Sequence, residues 1–241
     1  MMPWILLLLA AAQAPAPAPA NVAAVYRVPG APALMAIRVE VSSNGNRRVE
    51  FGEQMMTFIK RDGHLYMVTI DGGRTTVADV EDLKAVAQES LRKSPPGLCK
   101  SVEHVPAEFD LVQAGTATVG ARTGDAWVSR AAAGKSGAKA QLVISHDSAL
   151  APIGAALLEE FRATTGFLPD CPAFRAMFAT TEAALTSGTP LLMNKMELTD
   201  VREGPVDPKR FELPAPPRSR AELAAAAKDS TPISVELRSR D

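Results

Sequence analysis

Residues 133–136 read AGKS, the letters that end a phosphate-binding loop. Such a loop also requires a glycine five positions before the Gly of Gly-Lys-Ser, at the turn from a strand into a helix. Here Ser129 stands five positions before Gly134, and the stretch after Ser136, GAKAQLVIS, is typical of a strand. A phosphate would therefore lack both the leading glycine and the helix N-terminus that hold it. The sequence predicts a Gly-rich hairpin loop and no nucleotide site.

Residues 144–150, ISHDSAL, supply a serine, a histidine and an aspartate in succession. A catalytic triad needs these groups to converge, with the base in contact with the nucleophile and the acid orienting the base. Neighbours on an extended chain point alternately to opposite faces, so this run cannot form a triad. Asp147 and Ser148 are better explained as a strand end and a helix cap, and His146 as a surface side chain. A triad assembled from distant positions is the lesser alternative.

Two pairs of adjacent carboxylates, Glu81-Asp82 and Glu159-Glu160, fall in segments with helical periodicity. Adjacent helical positions do not face each other, so both pairs are expected on solvated helix faces and neither suits acid–base catalysis. The three histidines are scattered and no Cys-x-x-Cys occurs, which argues against a metal site. We therefore predict a protein without enzyme activity, metal or cofactor.

The overall charge excludes two classes of partner. The chain has 26 basic and 27 acidic residues, a formal net charge of −1, which gives no electrostatic attraction for nucleic acid or an anionic membrane. Apolar residues make up 46% of the chain, which is enough for one sizeable core.

The N-terminal residues 1–20 are typical of a secretory signal peptide, with a short apolar run followed by small residues. The run is shorter than the roughly 20 residues that a membrane-spanning helix needs, so no transmembrane segment is expected in the mature chain. Cleavage after Ala14 is disfavoured by Pro15, and cleavage after Ala20 is the alternative. The sequence predicts export to the periplasm.

The two cysteines, Cys99 and Cys171, both lie in Pro-rich connections. An even cysteine count in an exported chain favours a disulfide between them. Closing that loop would stabilise the fold by on the order of 4 kcal/mol. Two partly buried free thiols are the alternative.

Period-two patterns separated by tight turns predict antiparallel strands. In residues 33–41, Met35, Ile37 and Val39 alternate with polar residues, as in a half-buried strand. Asn-Gly and Asp-Gly pairs mark hairpins, and residues 120–131 predict one that turns at 123–125. The regular alternation of strands and helices that is typical of a parallel sheet is missing from the sequence. Further strands, about ten in all, are predicted at 47–51, 55–61, 64–70, 74–77, before 112, and at 115–121, 125–131, 139–145, 189–203 and 210–214.

Helical periodicity interrupts the strands at two points. It predicts helices over 77–93, with Asp79 as a possible cap, and over 149–166 and 171–188. Residues 215–241 are rich in Pro, Ala and charge, and predict a polar tail with at most one short helix. The domain between signal peptide and tail comprises residues 21–214.

Three segments carry a resemblance to a known family. Residues 120–128, GARTGDAWV, look like a Gly-led strand that turns and returns with a tryptophan; residues 188–191, GTPL, open a late strand; residues 206–214 end the domain with Phe-x-x-Pro. With the signal peptide and the order of strands and helices, these segments resemble the periplasmic lipoprotein-carrier (LolA/LppX-like) superfamily. The chain is most similar to an exported branch whose domain has no assigned function, and the resemblance spans residues 22–214.

The resemblance implies a mainly β, α+β fold: a half-open antiparallel β-barrel with helices packed on its concave face around an apolar cavity. Characterised relatives carry lipids or acyl chains without cofactor or covalent chemistry. We therefore predict a non-catalytic binding or carrier protein for an apolar ligand such as a lipid. A cell-envelope interaction or scaffold module with a solid core, which would bind an envelope protein, is the alternative, because Met-rich interiors are also ordinary cores. The residues expected to line the cavity are Met56, Phe58, Met67, Leu142, Ile144, Met196 and Leu198.

Overall fold

The computed structural model consists of one open antiparallel sheet and four α-helices, counted over the residues that it describes. The predicted signal peptide, Cys99 and residues 230–241 of the predicted tail lie outside the described residues. Those described are 21–32, 35–52, 56–93, 109–169 and 171–229.

Neighbouring strands of the sheet follow each other along the chain except at one place. The order is β6-β5-β4-β3-β2-β1-β11-β10-β9-β8-β7, so β1 pairs with β11 and joins the two halves of the chain. The outermost strands, β6 and β7, do not pair with each other, and the sheet is not closed. The strands are β1 (Val22–Arg27), β2 (Ile37–Val41), β3 (Arg47–Phe51), β4 (Met56–Arg61), β5 (His64–Asp71), β6 (Arg74–Asp79), β7 (Leu111–Val119), β8 (Arg122–Ser129), β9 (Leu142–Ser145), β10 (Thr189–Met193) and β11 (Met196–Glu203).

The prediction of a mainly β, α+β fold is confirmed, with eleven strands in the described part of the chain where about ten were expected. The predicted long strand at 189–203 is a hairpin, because Asn194 and Lys195 take left-handed φ values of 47° and 73° that suit a two-residue turn. Strand β1 was not predicted, because apolar residues occupy both of its faces and its sequence, VAAVYR, shows no alternation of apolar and polar residues. The strand predicted at 210–214 is replaced by a 3₁₀ turn, Pro208–Phe211.

The hairpin of β7 and β8 turns at residues 120–121, so the predicted turn at 123–125 is wrong. Gly120 takes the left-handed φ of 58° that the turn requires, and Val119 pairs with Arg122. Gly124 lies inside β8, where a Cβ would collide with the backbone oxygen of Ile144 on β9. The lack of a side chain at Gly124 therefore allows β8 and β9 to approach closely, and this glycine does not mark a turn.

The helices form where the sequence predicts them, and three of them lie against strands of the sheet. None of the helices in the described residues is long and apolar enough to cross a membrane. α2 lies against β1, β2, β3 and β10, α3 lies against α2, β7 and β9, and α1 lies against β5 and β6. The helices are α1 (Val80–Lys93), α2 (Ala151–Thr165), α3 (Pro172–Ser187) and α4 (Arg220–Asp229).

The main core lies between α2 and the central strands. Ile153 and Leu157 of α2 are at most 1% exposed and belong to one cluster with Val22, Val39 and Phe58 of the sheet. Each fully buried side chain of this size contributes about 1.5–3 kcal/mol. This burial fixes α2 on the sheet.

The chain after β11 covers the other face of β3 to β5. Arg210 pairs with Glu40 at 3.0 Å and with Glu50 at 3.2 Å, and Arg48 also pairs with Glu50 at 2.9 Å. Nearby, Leu213 packs on a small cluster of strand residues from β4 to β6. Strands β3 and β4 therefore bury residues on both faces.

The predicted tail contains the one short helix expected, α4, which packs against α1. Leu223 of α4 is 7% exposed and contacts Val86 of α1 and Ala78 of β6. The backbone N–H of Arg218 donates to the oxygen of Val77 at 2.8 Å, which places the start of the tail beside the β6 edge.

Candidate functional site

The seven residues predicted to line a cavity lie in two separate clusters. Phe58 (1% exposed) and Leu198 (7%) belong to the main core, against which Met56, Met67 and Met196 pack while partly exposed. Leu142 and Ile144 belong to a second cluster under α3, with Leu111, Ala184 and Leu185. The structure therefore does not bring the seven together, and their role in ligand binding stays a prediction.

An apolar pocket of about 200 Å³ lies beneath α3, between that helix, α2 and strands β7, β9 and β10. Of the seven residues predicted to line a cavity, Leu142 lines this pocket and the other six do not. Its lining combines two amides and a threonine with aromatic and aliphatic side chains. The lining residues are Phe109, Leu111, Gln141, Leu142, Phe161, Thr181, Met193 and Asn194.

A larger and more open cleft of about 540 Å³ lies where α1, α2 and α3 meet; we call it the helix cleft. Gln88 of α1 holds the connection between α2 and α3, donating to the backbone oxygens of Gly166 at 3.2 Å and Leu168 at 3.0 Å. The cleft lining combines aromatic rings with two arginines and one glutamate. These residues are Gln88, Arg162, Thr165, Gly166, Leu168, Pro169, Phe174, Arg175, Phe178, Ala179 and Glu182.

Three phenylalanine rings form the wall between the helix cleft and the apolar pocket. Phe178 lines the cleft, while Phe109 and Phe161 line the pocket. The Phe178 ring meets Phe109 edge to face at 5.6 Å between centroids and meets Phe161 at 5.8 Å. This is the preferred geometry for aromatic pairs. Sequence spacing gave no sign of this wall, since its rings come from three separate segments.

Trp127 stands beside the apolar pocket with an unpaired donor. It lies directly opposite Leu142 in the sheet and packs against the second cluster. Its Nε1 is buried and has no hydrogen-bond partner among the described residues. A buried N–H without an acceptor costs about 1–3 kcal/mol, so this part of the interior is not optimised for stability alone.

A second cleft of about 490 Å³, between α1, α2 and the β4–β5 hairpin, is lined by charged groups that pair with each other. Glu159 accepts from Arg47 at 3.2 Å and from Lys60 at 2.5 Å, and His64 lies 3.0 Å from Asp79. These pairs hold α2 and β5 in place. Over the described ranges, no three His, Cys, Asp or Glu side chains gather as ligands for a metal ion.

The structure separates the polar groups of residues 144–150. The Ser145 hydroxyl accepts from the Asp147 N–H at 3.2 Å, and the Asp147 carboxylate accepts from the Ala149 N–H at 2.9 Å, which confirms Asp147 as a cap. His146 instead contacts Asp125 of β8. The imidazole therefore does not touch the serine.

Residues 133–136 lie in a turn after a short 3₁₀ segment, Arg130–Ala132, and run towards β9. Gly134 has the left-handed φ of 74°. No α-helix follows, as the sequence predicts.

Glu160 does not lie on a solvated face, in contrast to the prediction for Glu159-Glu160. It continues the buried stripe of Ala156, Leu157 and Ala163 on α2 and is itself half-buried. Burial raises the pKa of its carboxyl to about 7, and a hydroxyl contact from Thr164 opposes the shift weakly. The spacing of three and four residues from buried neighbours was the signal that could have revealed this.

Cys171 precedes α3 and is 3% exposed. Cys99, its predicted partner, lies outside the described residues, so the disulfide stays a prediction.

Comparison of the chain with models of protein families, with curated proteins and with solved structures finds no match. The functional argument therefore rests on the geometry of the pocket and the clefts.

Proposed function

We propose that this protein is a non-catalytic binding or carrier protein for an apolar ligand such as a lipid or an acyl chain, exported to the periplasm. In this proposal the open sheet is a half-open barrel of the lipoprotein-carrier type, and the helices on its concave face cover the ligand. The observation that carries the proposal is the apolar pocket beneath α3.

Two features support a ligand role for this pocket. Its walls are made of side chains that bind by burial, which contributes about 0.8 kcal/mol for each CH₂ group removed from water. It also lies next to an open cleft, so that a bound chain has a route to solvent through the ring wall. At about 200 Å³ the pocket alone is smaller than common ligand sites, which favours a narrow ligand.

The alternative function, a cell-envelope scaffold module with a solid core, has one observation in its favour. Phe58 and Ile144, two of the predicted lining residues, are 1% and 0% exposed inside packed clusters. A scaffold needs no space for a ligand, so occupancy of the pocket distinguishes the two functions.

The proposal is tested by filling the pocket with a larger side chain on α3 and measuring ligand uptake. Thr181→Phe adds a ring to the lining of the pocket from a half-buried position on α3. Thr186→Phe is the matched control, since Thr186 is exposed on the same helix and does not line the pocket. Uptake of an anthroyloxy-labelled stearate is measured by fluorescence, with circular dichroism to show that both variants fold.

The carrier proposal requires uptake by the wild type and by Thr186→Phe, and a loss of about tenfold or more in affinity for Thr181→Phe. Equal uptake by both variants, or no uptake by the wild type, would favour the scaffold.

A further inference from the structure

We propose that the helix cleft and the apolar pocket are the two ends of one binding site for a single-chain anionic amphiphile, with Phe178 as the gate between them. The inference rests on the proposed function and deepens it by naming the ligand class. It is argued from the ring wall, from the partial exposure of the Phe178 ring, and from the charge at the cleft.

The two spaces are lined by residues that are neighbours in the chain. On α2, Phe161 lines the pocket and Arg162 lines the cleft; on α3, Thr181 lines the pocket and Glu182 lines the cleft. The Phe178 ring stands between them. Among the described residues, the ring that contacts the pocket lining from the cleft side is that of Phe178, and a ligand with its head in the cleft and its chain in the pocket would have to displace it.

Phe178 is suited to move because it is only half-buried. It contacts Phe109 and Phe161 through ring edges, and it lines the open side of the wall. A rotation about its χ1 would turn the ring into the cleft and connect the two spaces. The chain of the ligand would then take the place of the ring against Phe109 and Phe161.

The charge of the cleft selects the head group. Its lining contains the guanidinium groups of Arg162 and Arg175 and one carboxylate, that of Glu182. Arg162 already binds Glu182 at 2.7 Å, and both side chains remain about half exposed, so this arginine is accessible to an incoming anion. A guanidinium binds carboxylate and phosphate oxygens in paired hydrogen bonds. The shared chemistry is an anionic head on one acyl or alkyl chain, whether that head is a carboxylate or a phosphate.

The volume of the pocket argues for one chain. About 200 Å³ lined by aromatic and aliphatic side chains suits a single hydrocarbon chain and is too small for two or three side by side. Lipids with several chains would have to remain outside the ring wall.

Trp127 supplies the signal for a binding experiment. It is the one tryptophan after residue 20, and it packs beside the pocket, so its emission reports when a chain enters. The full chain is used with a Trp4→Phe background, so that only Trp127 emits. The probes are dodecanoate, dodecyl phosphate and dodecanol, which share the chain and differ in the head.

The wild type is expected to bind dodecanoate and dodecyl phosphate about tenfold more tightly than dodecanol. Arg162→Gln should remove this preference while leaving the dodecanol affinity unchanged. Glu182→Gln breaks the same ion pair but keeps the guanidinium, so it should retain the preference. The ratio of the affinities for dodecanoate and dodecyl phosphate shows whether the site prefers a carboxylate or a phosphate head group.

The gate is tested by stopped-flow fluorescence. Phe178→Leu, which leaves a smaller apolar side chain, should accelerate the entry of dodecanoate about tenfold, since opening would limit the rate. Phe174→Leu, one turn earlier in the cleft, should not. An unchanged rate in Phe178→Leu would overturn the gate.

Failure of this inference differs from failure of the proposed function. Equal binding of dodecanoate and dodecanol by the wild type would overturn the anionic site and leave an apolar carrier. No change of Trp127 emission with any of the three probes would overturn both.

Discussion

The imidazole of His146 lies 3.0 Å from the carboxylate of Asp125. The ring nitrogen that faces Asp125 is Nε2. The other ring nitrogen, Nδ1, lies 2.9 Å from the backbone oxygen of Ser187 at the end of α3. Both partners are acceptors, so the protonated ring donates to each of them. His146 thus fastens the end of β9 to β8 and to the last turn of the helix that covers the apolar pocket.

We expect the pKa of His146 to lie above its ordinary value of 6.5. The hydrogen bond to Asp125 is the largest cause, followed by the bond to the Ser187 oxygen. A raised pKa means that the contribution to stability is complete below pH 6.5 and is lost as the pH rises through the folded-state pKa. Proton NMR of the imidazole measures the pKa directly.

Asp125→Asn is the control for this assignment, because it keeps a similar shape and removes the charge. It should lower the His146 pKa. A wild-type pKa at or below 6.5 would contradict the double hydrogen bond.

Arg210→Met should lower the free energy of unfolding by about 1–3 kcal/mol, because Glu50 is buried and would keep only one cationic partner, Arg48. Urea denaturation followed by circular dichroism measures the loss. Arg202→Met is the matched control: its guanidinium is 80% exposed and pairs with Asp200 in the same strand, so less than about 0.5 kcal/mol is expected. Equal effects of the two changes would mean that the Arg210 network does not hold the chain after β11.

Local signals predicted the strands and helices well where one element has one buried face. The Asp62-Gly63 turn between β4 and β5 takes positive φ at both residues, as its sequence requires. Asp79 accepts from the Glu81 N–H at 2.8 Å and caps α1, as predicted. The pairing of β1 with β11 was not predictable, because it joins residues 170 to 181 positions apart, as in the pairs Arg27–Glu197 and Val22–Glu203, and no local pattern selects a distant partner.

The candidate site was less predictable than the fold for the same reason. Leu142 is buried and lines the apolar pocket, but the ring wall needs Phe109, Phe161 and Phe178 from three separate segments. Alternation and helical spacing assign a face to each residue. They do not state which faces leave a space between them.

Gly188→Ala should destabilise the protein by about 1–3 kcal/mol or more. Gly188 has an extended backbone that any residue can adopt, but a Cβ there would collide with the backbone oxygen of Ser145. Neither backbone segment can move freely, because Gly188 precedes β10 and Ser145 ends β9. Thermal unfolding is the measurement.

Gly166→Ala is the control for this change. Its Cβ would approach the Lys84 side chain at 2.7 Å, which is flexible and able to move aside, and its φ of −66° suits alanine. We expect a change in melting temperature close to zero. If Gly166→Ala were as damaging as Gly188→Ala, close backbone approach would not be the cause.

Glu160→Gln should stabilise the protein at pH 8. Burial raises the folded-state pKa of Glu160 to about 7, while the unfolded carboxyl titrates near its model value of 4.5. The folded state therefore holds the proton more tightly, and stability is greatest below pH 4.5 and falls as the pH rises through 7. Because the side chain is only partly buried, we expect a gain of about 1–2 kcal/mol at pH 8 in the variant.

Glu159→Gln is the matched control one position away and should have the opposite effect. Glu159 is paired with Arg47 and Lys60, so removing its charge takes from both cations the carboxylate that they share among the described residues and lowers stability. Denaturant unfolding at pH 5 and pH 8 measures both changes. The Glu160→Gln gain should be much smaller at pH 5, where the folded-state carboxyl is already neutral and only the unfolded-state carboxyl is ionised. A gain of equal size at both pH values would mean that burial of charge is not its cause.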